Sequence, residues 1–121
     1  MDGNQFLIIA GAVIGLFVIF RIIKAIRRIN PKKALELQKN GASFVDVRQP
    51  GEYSGGHIKG AVNIPLNNLS RIKNKISKDS DVIVYCLSGA RSNSAFRQLK
   101  SMGYTKVHDL GGIGRWPYSK T

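Results

Sequence analysis

One cysteine, seven acidic side chains and four prolines among 121 residues are scarcities that narrow the chemistry before any motif is read. A single thiol, Cys86, cannot close an internal disulfide or build a multi-cysteine metal site, so nothing points to an oxidising compartment and the pattern fits a reducing one. Whatever Cys86 does, it does alone. There are no internal repeats, no low-complexity tract and no flexible linker, and the length leaves room for one domain. The shortage of acids against 19 Lys and Arg gives a formal net charge of +12, a balance that raises nucleic acid as a partner. The placement argues otherwise. Arg21, Lys24, Arg27, Arg28, Lys32 and Lys33 crowd one short stretch, and the basic run Arg71, Lys73, Lys75 and Lys78 alternates with apolar residues as a solvated helix face would. No aromatic side chains interleave with that run to stack bases, so nucleic acid is set aside.

What is plentiful is apolar sequence at the start. Every residue from Phe6 to Phe20 is apolar or glycine, and Ile22, Ile23 and Ile26 extend the pattern. Fifteen helical residues reach roughly 22 Å, but continuing to Ile26 gives about 31 Å, near the thickness of a bilayer's hydrocarbon core. Arg21 and Lys24 would then snorkel to the headgroups. A cleaved signal peptide would need cations before the apolar run and small residues at a cut site after it, and neither is present. Only Asp2 is charged ahead of Phe6, while six cations follow Phe20, so the positive-inside rule puts the amino terminus outside and the rest in the cytoplasm. Gly11 and Gly15 have the spacing that can bring two membrane helices into a loose homodimer. Ordinary membrane-helix composition accounts for that spacing more simply. Residues 1–29 are therefore expected to be an anchor with a basic juxtamembrane segment, and residues 30–121 a folded domain held close to the membrane.

In that domain, Asn30-Pro31 followed by Lys32 to Lys39 and Asn40-Gly41 supplies an N-cap, a proline at the first helical position and a glycine stop. Ser43 to Arg48 and Asp81 to Cys86 are strand-like, the second as an unbroken apolar run of the kind buried on both faces of a parallel sheet. A short strand is predicted over Ala61 to Ile64, a helix from about Leu66 to Ile76, another from about Ser92 to Met102 ended by Gly103, and a last strand over Lys106 to Leu110. Strands alternating with helices make an α/β domain, in which ligands gather beyond the carboxyl ends of the strands. Cys86 sits at such an end.

The segment Cys86-Leu87-Ser88-Gly89-Ala90-Arg91 joins a buried strand to a helix. Its amides and the first free N–H groups of the helix should converge on one point, where the helix dipole adds roughly +0.5 charge and favours an ionised, nucleophilic sulfur. Arg91 adds a permanent positive charge, and Gly89 allows a positive φ where the chain curls. A persulfide on Cys86 could be held by the same amides with neither metal nor cofactor. An inert buried cysteine ending a core strand is the commoner fate of a lone thiol, so the loop by itself does not decide.

Val45-Asp46-Val47-Arg48, Glu52-Tyr53, Gly56-His57-Ile58, Gly60-Ala61-Val62-Asn63-Ile64-Pro65, the Cys86–Arg91 loop and Gly111-Gly112 with Trp116 span nearly all of residues 43–116. In this combination the chain resembles the rhodanese family. The resemblance implies a small, five-stranded parallel sheet flanked by helices, here preceded by one transmembrane helix, and sulfur transfer through a cysteine persulfide from thiosulfate or another sulfane donor to a thiol, cyanide or a relay protein. It makes Cys86 the nucleophile, Leu87, Ser88, Gly89, Ala90 and Arg91 its cradle, and Asp46, Arg48, Glu52 and His57 structural supports. His57 is expected to brace backbone and not to move protons. His108, with no carboxylate motif nearby, is expected to be a plain strand residue; with Cys86 the two histidines could make only an incomplete metal site. Trp116 reads as core. The family's first edge strand would fall near Arg27 to Ile29, and its last helix is cut short after Trp116-Pro117-Tyr118. Two rivals remain. Phosphatases and arsenate reductases of this fold carry one more residue in the loop, whereas here four separate Cys86 from Arg91. A non-catalytic membrane adaptor would have little reason to keep Cys86, Gly89 and Arg91 together.

Overall fold

A computed structural model of the chain describes residues 2–121, the side chains of residues 24–26 excepted. The first element is a single helix, α1 (Gly3–Ile26), started by Asp2, whose carboxylate accepts the N–H of Gln5 at 2.8 Å. Its Gly3–Ile23 stretch is long and apolar enough to cross a membrane and none of it is buried against the rest of the protein. Phe6, Leu7, Ile8, Leu16 and Phe17 are each more than half exposed and make an extended apolar surface. Lys24 and Ile26, included in the expectations above, have side chains outside the described set.

The domain begins at α2 (Pro31–Lys39). Asn30 caps it through its side chain, which accepts from the N–H of Lys32 at 2.8 Å, and Pro31 occupies the first turn, where its missing N–H is harmless. The remaining elements are β1 (Ser43–Asp46), α3 (Pro50–Ser54), β2 (Val62–Asn63), a 3₁₀ stretch over Leu66–Asn74, β3 (Val82–Cys86), α4 (Ala90–Ser101), β4 (Val107–Gly112) and a last 3₁₀ turn at Ile113–Arg115. All strand pairs are parallel, in the order β2-β1-β3-β4. The fifth, edge strand implied by the family resemblance survives as a single bridge: Arg28 pairs in parallel with Asp109, and Ile29 donates to the Asp109 carbonyl at 2.8 Å. The chain has only three residues between the end of α1 and Asn30, too few for more.

β3 lies in the middle of the sheet and is buried throughout, so its alternation sorts side chains to two cores. Val82, Val84 and Cys86 pack with Leu69, Ile72, Ala95 and Leu99 on one face. Ile83 and Tyr85 pack with Ala34, Phe44, Ile58, Leu110 and Trp116 on the other. Trp116 meets Phe44 edge-on at 5.0 Å. Between β3 and β4 the register slips by one: Val84 faces Asp109, yet Tyr85 faces Gly111. This bulge carries β4 two residues past the predicted end at Leu110 and brings Gly111 and Gly112 up beside the loop after Cys86.

Two predicted elements differ in kind. The helix expected from Leu66 to Ile76 is two 3₁₀ pieces joined at Asn68, whose φ of −123° is not helical. Leu69, Ile72 and Ile76 are buried all the same, because a short, tight turn can present the same apolar face. Pro50–Ser54, not predicted, is a one-turn helix set by Pro50 at its start and a reciprocal cap between Gln49 and Glu52. The end of the chain pairs with the segment before β2: His57 and Thr121 exchange backbone hydrogen bonds at 2.9 and 2.8 Å.

Leu99 is fully buried between α4 and the sheet. Leu99→Ala should lower unfolding stability by about 2–5 kcal/mol, while the exposed Lys73→Ala should change it by less than about 0.5 kcal/mol. Urea melts of the two variants test that placement of the core.

Candidate functional site

The site is built at the point where β3 stops and α4 starts. β3 drives Cys86 into the core at its last position, and the residue has no solvent exposure. The chain then reverses over Leu87 and Ser88, both exposed, and passes through Gly89, whose φ of +104° only glycine adopts without strain. Gly89 is also the N-cap of α4, so the first N–H groups of that helix have no carbonyl partner within it. The sulfur takes that role. Gly89 N–H donates to Cys86 Sγ at 3.0 Å and Ser92 N–H donates at 3.3 Å.

Among the described residues, these two amides are the donors that make the cradle expected over residues 87–91. Gly89 belongs to that expectation; Ser92 lies one residue beyond it. Ser92 was legible in principle, because the third position of a helix capped at Gly89 always has a free N–H. Its side chain is buried and ties the loop together, its hydroxyl donating to the Gly89 carbonyl at 3.1 Å and facing the Gly111 carbonyl at 3.5 Å. Gly112 closes the other side: a Cβ there would stand 2.7 Å from the Leu87 carbonyl oxygen, a backbone atom that cannot step aside.

Arg91 makes its side-chain hydrogen bonds to Glu52. Its guanidinium holds Glu52 in a two-point pair, Nη1 to Oε1 at 2.7 Å and Nη2 to Oε2 at 2.9 Å, with both side chains about one-third exposed. That hydrogen-bonded pairing lowers the Glu52 carboxyl to about 2 and raises Arg91 above its ordinary value. Glu52 thus fixes the first turn of α4 to α3 across the loop.

Asp46 and Arg48 lie deeper. Arg48 chelates Asp46, Nη2 to Oδ2 at 2.7 Å, and reaches the Gly56 carbonyl at 2.7 Å, while its own N–H returns to Asp46 Oδ1 at 2.9 Å. Both residues are buried, and the carboxylate raises the Arg48 guanidinium above its ordinary value. Such a pair stabilises only while both members are present, and here it locks the turn after β1 to the segment ahead of His57. The His57 ring stacks on Tyr53 at 3.7 Å, with Nδ1 2.9 Å from the Tyr53 carbonyl. His108 corrects an expectation: it does have a carboxylate, its Nε2 lying 3.0 Å from Asp81 Oδ1 at the outset of β3. That pair sits at the opposite end of the strand from Cys86. No group of three or more His, Cys, Asp or Glu that could hold a metal occurs among the described residues.

One contact has no forerunner in the sequence. Arg28, from the short segment after α1, lies over the outer edge of the loop. A Cβ on Gly89 would stand 2.5 Å from Arg28 Nη2, and one on Gly111 would stand 3.2 Å from Arg28 Nε. Since Gly89 N is 3.0 Å from Sγ, bond lengths put the guanidinium no more than about 8 Å from the sulfur.

The parallel sheet that ends in this cysteine is a fold that known proteins share. Residues 30–117 match the family model of the rhodanese-like domain. The chain belongs to the rhodanese-like family. The chain is 36% identical over 110 residues to YqhL, an uncharacterized protein of Bacillus subtilis, covering 86% of this chain and 87% of that one. It is 36% identical over 91 residues to the thiosulfate sulfurtransferase GlpE of Ectopseudomonas mendocina, covering 74% of this chain and 84% of the relative. Among solved structures, a rhodanese with anions from E. coli superposes with a TM-score of 0.65 at 37% identity, over 67% of this chain and 98% of that one. The rhodanese-like domain thus has named sulfurtransferases among its relatives, and its small parallel sheet flanked by helices is their fold.

The Arg91–Glu52 pair has a defined pH window. A depressed carboxyl contributes fully above its ordinary value of 4.5 and loses that contribution as pH falls towards about 2. The carboxyl carbon of Glu52 should therefore titrate near 2 by NMR in the native protein and move up towards 4.5 in Arg91→Gln. A wild-type midpoint in the ordinary range would show that the pair does not form in solution.

Proposed function

We propose that the protein is a membrane-anchored sulfurtransferase that carries sulfur as a persulfide on Cys86. The observation behind this reading is the pair of main-chain donors, Gly89 N–H and Ser92 N–H, directed at one buried sulfur. Hydrogen bonds to an anionic sulfur are charge-assisted, and fixed donors at a helix start hold that charge without rearrangement when it moves.

The two half-reactions follow from this. The Cys86 thiolate attacks the outer sulfur of thiosulfate, an S–S bond forms to Cys86, the S–S bond within thiosulfate breaks, and sulfite leaves with the electron pair. The outer sulfur of the persulfide then carries the negative charge beside the loop. Cyanide or a thiolate attacks it, taking one sulfur as thiocyanate or a new persulfide and returning Cys86 as thiolate. No metal or redox cofactor enters the balance. Glu52, Arg91, Asp46, Arg48 and His57 act by holding the loop and its surroundings in shape. The phosphatase-like alternative is disfavoured by the four-residue loop and by the pairing of the Arg91 guanidinium with Glu52.

The location is read from α1. Its exposed apolar surface suits lipid, and the cations that follow it suit the inner face of a membrane, which supports reading the rhodanese-like domain as cytoplasmic, where a thiol stays reduced.

The full chain in neutral detergent, given thiosulfate and cyanide, should form thiocyanate, and Cys86→Ser should fall to the uncatalysed background. Absence of thiocyanate with the native chain would return the adaptor reading.

A further inference from the structure

A groove of about 500 Å³ lies beside the loop, and Cys86 is not among the residues that line it. It runs along the outer edge of the loop, walled by Arg21, Arg28, Asn93, Arg97 and the Ser88–Ala90 backbone. Three arginines from three different parts of the chain converge there: the last turns of α1, the segment after it, and the exposed side of α4. The ion pairs formed among the described residues join Arg48 to Asp46, Arg91 to Glu52 and His108 to Asp81, and none of them neutralises these three. Like charges gathered without a counter-ion repel, and in a built groove they mark the place of an anion.

The level of the groove says which anion. Arg21 lies near the end of the apolar Gly3–Ile23 stretch of α1, so in a helix that spans the bilayer its guanidinium snorkels to the headgroups, and the groove it walls stands at their level. We infer that Arg28 and Arg97, with Arg21, bind the phosphate of an anionic phospholipid, docking the Gly89 edge of the catalytic loop on the membrane surface. This rests on the reading of α1 as a membrane anchor. Arg28 is the link between lipid and loop: it lies against Gly89 and Gly111. Docking therefore fixes the domain's orientation through the same backbone that holds the sulfur.

The test uses the full chain in neutral detergent, followed by NMR of the arginine Nε–H resonances while short-chain phosphatidylglycerol is added. The resonances of Arg28 and Arg97 should shift together and saturate; short-chain phosphatidylcholine should leave them still, and inorganic phosphate or thiosulfate should act only at much higher concentration. Arg28→Gln and Arg97→Gln should each weaken phosphatidylglycerol binding about five-fold, in keeping with one basic contact at a lipid surface. Arg97 is exposed on α4, so its variant leaves the fold intact even if Arg28→Gln loosens the loop. Three results overturn the inference: no shift with phosphatidylglycerol, equal response to phosphatidylcholine, or equal affinity for free phosphate or thiosulfate, which would make the groove a seat for a soluble anion. Flotation with vesicles separates this from the anchor. A chain that floats with vesicles of either lipid but shows no arginine response keeps its anchor and loses the docking site, whereas a chain that floats with neither loses both.

Discussion

Two backbone N–H groups at the start of one helix point at one sulfur, and most of the domain is arranged so that they can. The Gly89 and Ser92 amides have no carbonyl to serve within α4, so without Cys86 they would be buried donors lacking a partner. With it, the sulfur and the helix start satisfy each other. That mutual dependence is what places the thiol at the last residue of β3: one residue earlier it would point into the opposite core, and one later it would lie on the exposed side of the loop with Leu87.

The supporting residues serve the same end at increasing distance. Gly112 lets β4 pass close under the Leu87 carbonyl, and the slip of register in β4 is what brings it there. Glu52 and Arg91 tie the helix start to α3, partly in solvent, where an ion pair contributes modestly to stability but fixes geometry well. Asp46 and Arg48 do the same in the dry interior, where losing one partner would leave a stranded charge. On the outer edge Arg28 brings the segment after α1 against the loop, so this short connector serves both as the remnant of an edge strand and as a wall of a groove.

Much of this was legible in the residues. The apolar run after Phe6, the cap at Asn30-Pro31 and the alternating burial of β3 follow from length, capping chemistry and strand period, and each appears where its physics puts it. The elements that resisted are those decided by contacts between distant segments. Leu66–Asn74 has helical spacing of apolar residues but folds as 3₁₀ turns around Asn68, because tertiary packing rewards the buried face whichever helix presents it. The partner of Arg91 could be named only once α3 and α4 lay side by side, although Glu52 and Arg91 were both marked. His108 finds Asp81 only because β3 and β4 are neighbours in the sheet. Arg28 looked like one more juxtamembrane cation, since nothing in a linear reading says that residue 28 meets residues 89 and 111.

The central claim, that this cradle exists to hold sulfur on Cys86, is tested most directly by the intact mass of the full chain after thiosulfate is added and removed without an acceptor. The account predicts a gain of one sulfur atom, reversed by cyanide and absent in Cys86→Ser. A native, folded chain whose mass stays unchanged with thiosulfate and with every other sulfane donor would contradict it.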